Sequence, residues 1–163
     1  MGSHASGEAR AVLDAIRRIV QLLRRSAREA EMRTGLSAAQ LFVLQQLRGA
    51  GRALTPGELA GRTLTHQSSV SVVVRRLAER GLVKKAPSAL DRRRTELTLT
   101  GKGQKAARRA PALAQERLIA AVARLPPAGR AGLAKGLLQL TRQLGIAVEP
   151  PPMFFEEGTQ RAQ

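Results

Sequence analysis

The chain has no cysteine, no tryptophan and no tyrosine, and only three phenylalanines among 163 residues. Without cysteine there are no disulfides, no thiolate metal ligands and no thiol-based redox sensing. With so few aromatics, a core built from the 43% hydrophobic residues must be Leu, Val, Ile and Ala, which suits helices better than a β-sandwich. No apolar run reaches the roughly 18 residues that span a bilayer, and no signal-peptide h-region is present. The expected setting is therefore cytoplasmic. Acidic residues are also scarce, 12 against 28 Lys and Arg, which leaves a net charge of +16.

Recognisable catalytic patterns are missing too. There is no H-E-x-x-H, no G-x-S-x-G and no Walker loop, and Gly101-Lys102-Gly103 is too short to cradle phosphates. The carboxylates are few and scattered, so the sequence does not read as an enzyme and implies no cofactor. His66 is the only histidine beyond His4. With no cysteine and no carboxylate cluster beside it, it implies no metal.

The positive charge is clustered. Arg75–Arg109 holds twelve Lys and Arg against Glu79, Asp91 and Glu96, +9 of the total. An excess this large marks a polyanionic partner, nucleic acid before anionic membrane. An Arg-rich proteome could account for the general excess, but not for the clustering.

The pattern along the chain is mainly helical with a small β-wing. Residues 8–33 carry Val12, Ile16, Ile19, Val20 and Leu23 at helical spacing, with Gly35 as a stop. Ser37-Ala-Ala-Gln40 is a capping box opening a second helix, with Leu41, Phe42, Leu44 and Leu47 inward. Thr55-Pro56-Gly57-Glu58 is a stronger start: a Thr cap, Pro at the first helical position and Glu reaching back. That helix spans Pro56–Arg62. After a tight turn, Thr65 is expected to cap a helix over His66–Arg80, with Val70, Val73, Val74 and Leu77 buried. Two short helices joined this way are the helix-turn-helix signature. Leu82–Lys85 and Thr95–Thr100 then form a hairpin around the Asp91-Arg92-Arg93-Arg94 loop. Beyond Gly101 and Gly103 the chain is helical again, with a bend or break near Pro111 and a firm break at Pro126-Pro127.

These pieces define a winged helix-turn-helix over residues 36–101. A recognition helix enters the major groove and reads base edges with its N-terminal side chains. The candidates are His66, Gln67, Ser68, Ser69, Ser71 and Arg75. Gln67 can pair bidentately with adenine, while the serines can bond bases or phosphates, or simply serve as caps and solvent contacts. Arg75 could reach DNA or pair with Asp91 to brace the wing. Arg92, Arg93 and Arg94 at the hairpin tip suit a narrow minor groove, whose potential is strongly negative. An acid such as Asp91 would fix an arginine's direction by a bidentate pair. The alternative is a merely charged turn.

Residues 8–33 and 102–145 supply more apolar-striped helix than a small winged domain needs. They are expected to be dimerisation helices, presenting two recognition helices about 34 Å apart to palindromic double-stranded DNA. The competing reading has them complete a larger monomeric core. Met1-Gly2-Ser3-His4 reads as an expression-vector remnant, and residues 1–7 are set outside the fold. Residues 146–163 read as a C-terminal tail, mobile from Pro150 on. The adjacent Phe154 and Phe155 could pack on a partner subunit or be disordered, and their pairing leans the tail toward partial order.

As a set, the Pro56-Gly-Glu-Leu-Ala60 helix, Leu77-Ala-Glu-Arg-Gly-Leu-Val83, Asp91-Arg-Arg93 and the Leu97-Thr-Leu-Thr-x-Lys-Gly103 exit resemble the MarR family of bacterial transcription regulators. The resemblance runs over about residues 10–145. It implies a triangular homodimer with six helices per subunit that binds a pseudo-palindromic operator, usually to repress nearby genes. By position, Gln67, Ser68, Ser69 and Ser71 match the family's base- and phosphate-contacting segment. Arg93 matches its minor-groove arginine, and Asp91 the acid that orients it. Many members release DNA when a small lipophilic or phenolic effector enters the cleft between dimerisation helices and DNA-binding lobe. The absence of cysteine departs from the thiol-sensing branch. Phe42, the one aromatic outside the tail, argues against an aromatic-lined pocket and leaves an aliphatic one open. Two other readings compete: a non-specific architectural DNA-binding protein, and a winged-helix module that binds protein.

Overall fold

The computed structural model describes residues 2–89, 91–146 and 149–156. It is mainly helical with a two-stranded antiparallel sheet: α1 (Gly2–Thr34), α2 (Ala38–Ala50), α3 (Pro56–Thr63), α4 (Gln67–Glu79), β1 (Val83–Pro87), β2 (Thr95–Leu99), α5 (Gly101–Arg109), α6 (Ala114–Arg124) and α7 (Pro127–Gln143).

Capping chemistry sets most boundaries. The Ser37 hydroxyl accepts the Gln40 N–H at 3.2 Å, and the Gln40 side chain accepts the Ser37 N–H at 3.1 Å. The same reciprocal box joins Thr55 and Glu58 at the start of α3, with Pro56 in the first turn. Each box satisfies donors that a helix start otherwise leaves unpaired. α2 ends at Gly51, whose φ of 65° is a left-handed cap natural to glycine.

α2 is the centre of the core. Ala39, Leu41, Phe42, Val43 and Leu44 are at most 1% exposed. Leu59 of α3, Val70, Val73 and Leu77 of α4, Leu97 of β2 and Leu54 pack around it, all within the same 1%. Burying so many aliphatic side chains, each worth about 1.5–3 kcal/mol, stabilises the lobe despite the β-branched run Val72–Val74 in α4. Leu54 also bridges to the Leu97 backbone in both directions, so the wing sheet is keyed to the lobe at its base.

Several expectations are corrected. α1 begins at Gly2, inside the segment set aside as a remnant, and runs without interruption to Thr34. His66, not Thr65, stands at the N-cap position of α4 and makes no side-chain capping bond, while the Thr65 hydroxyl donates to the Thr63 carbonyl at 3.2 Å. Thr100 caps α5 instead of ending the strand, accepting the Gly103 N–H at 3.0 Å. Among the described residues the six helices implied by the family resemblance become seven, since the chain leaves helix at Ala110 and re-enters it at Ala114. Pro111 explains the break, because its ring fits no helix interior. The freed groups find partners: Gln45 Nε2 donates to the Pro111 carbonyl at 3.2 Å, and the Ala114 N–H donates to Ser26 Oγ at 2.9 Å.

The terminal helices differ from the lobe. Val12, Leu13, Ile19 and Leu22 of α1 are exposed, and among the described side chains of that helix only Leu23 and Ala30 are buried. Every residue of α7 is exposed, its leucines included. No described helix is long and apolar enough to cross a membrane.

Candidate nucleic-acid interface

α4 is held from behind and open in front. At about 100° per residue, Val70, Val73, Val74 and Leu77 fall on one face, and all four are buried. Gln67, Ser68, Ser71 and Arg75 fall beside that stripe on the exposed side of the helix, within an arc of about 100°. All four are exposed, as is His66 at the cap. The Ser71 hydroxyl donates to the Gln67 carbonyl at 2.8 Å, which leaves its oxygen able to accept a further bond. Ser69 departs from the expectation for this group. It is 6% exposed, and its hydroxyl donates to the Pro151 carbonyl at 2.8 Å. It lies on the flank of the helix, under the C-terminal segment, and in this structure is not presented to a duplex.

The wing follows directly. β1 and β2 pair in register from Val83 opposite Leu99 to Pro87 opposite Thr95. Lys84, Lys85, Arg92, Arg93 and Arg94 are all exposed on the hairpin. The tip is closed by Ser88 N–H to the Arg94 carbonyl at 2.8 Å and Arg94 N–H to the Asp91 carbonyl at 2.9 Å. Asp91 works differently from the bidentate brace expected of it. Its Oδ1 accepts the backbone N–H of Arg93 at 3.0 Å, and its Oδ2 lies 3.7 Å from Arg94 Nε. It fixes the turn that carries Arg93 rather than the Arg93 guanidinium, and it pairs with Arg94 rather than Arg75.

Contacts invisible as motifs hold this surface together. Arg80, just past α4, donates to the Gly35 carbonyl at 3.0 Å and to Gln40 Oε1 at 3.3 Å. The Lys102 ammonium donates to the Arg80 carbonyl at 3.1 Å. The far end of α4 is thus tied to the α1–α2 turn and to α5. In front of α3, Arg52 donates to Glu58 at 2.7 Å. That bond, followed by the Thr55 backbone and hydroxyl, lowers the Glu58 carboxyl to about 2. Burial raises the Glu116 carboxyl, opposed by its backbone bond at Leu113. Among the described residues no group of three His, Asp or Glu side chains could hold a metal.

A cavity of about 240 Å³ lies between the α3–α4 turn, α6 and the C-terminal segment. Gln115 lines it, 7% exposed, with its Oε1 lacking a hydrogen-bond partner. Leu118 and Ile119 give it an aliphatic wall. Sequence periodicity marks those two as apolar but gives no sign that Gln115 turns inward.

Residues 34–94 match the model of the MarR family. No curated protein matches the chain. Among solved structures, BpsR of Bordetella bronchiseptica, described for regulation of its DNA binding by 6-hydroxynicotinic acid, is 26% identical. The match covers 85% of this chain and 93% of that one, with a TM-score of 0.54. A mutant of Escherichia coli MarR in complex with operator DNA shares the fold at 24% identity. It covers 82% of this chain and 95% of that one, with a TM-score of 0.57. A Staphylococcus aureus MepR–DNA complex does so at 20% identity, covering 81% and 97%, with a TM-score of 0.54. The family match thus spans the helix-turn-helix and the first strand and tip of the wing, residues 34–94, and the chain shares the winged helix-turn-helix fold of MarR-family regulators.

Proposed function

We propose that this protein is a transcriptional regulator that binds a pseudo-palindromic operator as a homodimer and represses the adjacent genes. One observation carries the reading: Gln67, Ser68, Ser71 and Arg75 stand exposed on α4, and the hairpin that packs on α4 through β1 bears exposed Arg92, Arg93 and Arg94 at its tip. Amide and hydroxyl groups at the start of such a helix read base edges, while the wing arginines supply charge to the minor groove. The MarR and MepR complexes with DNA support it by analogy of fold.

The dimer reading rests on exposed apolar stripes along α1 and α7. For effector release, support comes from BpsR and from an organohalide-sensing regulator bound to 2,4-dichlorophenol, both similar in fold. In this chain the aliphatic cavity beside Gln115 would favour a small lipophilic or phenolic molecule that can donate a hydrogen bond. Such a molecule acts only through its different affinities for two lobe positions.

The net charge of +16 favours a second reading, charge-driven binding to any duplex. Titration of the full chain with the duplex upstream of its own gene, against random duplex and across salt concentrations, separates the two. Specific binding about 10³-fold or more tighter than random supports the regulator. Equal affinities with the same steep salt slope there and at other promoters would leave only the architectural reading.

A further inference from the structure

The segment Glu149–Glu156 makes a set of contacts that the DNA interface does not use. Met153 is 3% exposed and belongs to the core cluster of the lobe. The Pro151 carbonyl takes the Ser69 hydroxyl. Glu156 lies 3.8 Å from the Arg76 guanidinium, with its own side chain 8% exposed. A turn closed by Glu156 N–H to the Met153 carbonyl at 3.1 Å, with Phe155 at φ 54°, aims that carboxylate.

Ser69 and Arg76 are seven residues apart, so they share one flank of α4, about 20° from each other. Pro151 meets the first and Glu156 the second, so the segment runs along the recognition helix in the same direction as the helix itself. It lies on neither the buried valine face nor the outer face of Gln67, Ser68, Ser71 and Arg75. Its Pro151–Phe154 stretch also closes one side of the Gln115 cavity, opposite α6.

We infer that the flank of α4 is a peptide-docking groove whose resident is the chain's own Glu149–Glu156 segment, acting as a strap that sets the position of the recognition helix. The groove offers a hydroxyl donor at one end, an apolar socket in the middle and a guanidinium at the other end. It therefore selects a short apolar peptide that ends in a turn carrying a carboxylate side chain, which is what Pro151-Pro-Met-Phe-Phe-Glu156 supplies. A strap on the flank leaves the outer face open, so it can govern how firmly α4 is held without competing for DNA.

The absence of native cysteine allows a direct test on the full chain. In Met153→Cys the thiol should react with a maleimide about tenfold or more slowly than in Phe154→Cys, whose position is 50% exposed. The protection should persist on dilution. Equal reaction rates would overturn the strap, and protection lost on dilution would assign the groove to a second copy's tail instead. A second measurement follows hydrogen exchange in Met153→Asp. Faster exchange confined to Gln67–Arg76, with α2 unchanged, is the expected result, and unchanged exchange in α4 would refute its positioning role.

Discussion

Asp91 Oδ1 accepts the backbone N–H of Arg93 at 3.0 Å, two residues along the wing tip. The acid thereby shapes the turn that presents the arginine, and it leaves the Arg93 side chain to an outside partner. Replacing Arg93 by Ala should lower duplex affinity by about 1–3 kcal/mol. Because Arg93 is exposed, folding stability should change by no more than about 0.5 kcal/mol. Titration at moderate salt, paired with denaturant unfolding, checks both. Unchanged affinity would remove the wing tip from the interface.

Gly103 carries a steric constraint at the other end of the wing. A Cβ there would overlap the Leu82 carbonyl oxygen and press on Leu99 Cδ2. Neither the backbone at Leu82 nor the cap at Thr100, which also bonds the Gly81 and Leu82 carbonyls, can yield easily. Gly103→Ala should destabilise by about 1–3 kcal/mol, the range for overpacking. Gly101 sits in the same turn of α5, and a methyl added there would meet open space, so Gly101→Ala should stabilise by about 0.5–1 kcal/mol. Opposite shifts in the urea midpoint are expected. Equal shifts would mean that the close approach at Leu82 does not limit the site.

What the sequence made legible is what short-range chemistry decides. Ser37–Gln40 and Thr55–Glu58 can be read as caps because both partners lie within four residues. The valine stripe of α4 is legible because its spacing matches the helical period. Ser69 shows the limit. As a small polar residue among Gln67, Ser68 and Ser71 it reads as a DNA contact, yet its partner Pro151 is 82 residues away. Thr65 looks like a better cap than His66, but the carbonyl of Thr63 is near enough to capture its hydroxyl. The tail holds three prolines in a row, Pro150–Pro152, and reads as mobile or partner-bound, although Met153 finds a socket on its own chain. Residues 157–163 of that tail lie outside the described residues.

Glu58 should give the lobe an acid-sensitive joint. Its carboxyl is lowered to about 2, first by Arg52 and then by Thr55, from an ordinary value of 4.5. A depressed carboxylate contributes stability that is fully present above its unfolded value and is lost as the pH falls through the folded one. The contribution should therefore stand at pH 7 and fade between about 4.5 and 2. Since the pair is exposed, salt should weaken it further. In Glu58→Gln this contribution is absent. Denaturation midpoints of the two proteins should differ at pH 7 and converge as the pH approaches 2. A difference independent of pH would show that packing around α3, and not charge, makes it.

The last expectation concerns α7. Leu133, Leu137, Leu140 and Leu144 form one stripe along a helix whose every residue is exposed. Had these helices completed a larger monomeric core, the stripe would face the lobe. A contiguous apolar stripe left in water marks an interaction surface, and the exposed Val12, Leu13, Ile19 and Leu22 of α1 offer matching area in a second copy. Leu137→Asp places a charge in the middle of the stripe. In a lone chain it would change stability little, because the site is 47% exposed. In a dimer it buries an unpaired charge, which is costly enough to separate the subunits. Under the proposed homodimer, light scattering across a dilution series should find the unmodified chain dimeric and Leu137→Asp monomeric at the same concentration. Duplex affinity should fall in parallel, since each lobe then binds its half-site alone. A Leu137→Asp chain that stays dimeric would exclude α7 from the interface and leave α1 to supply it.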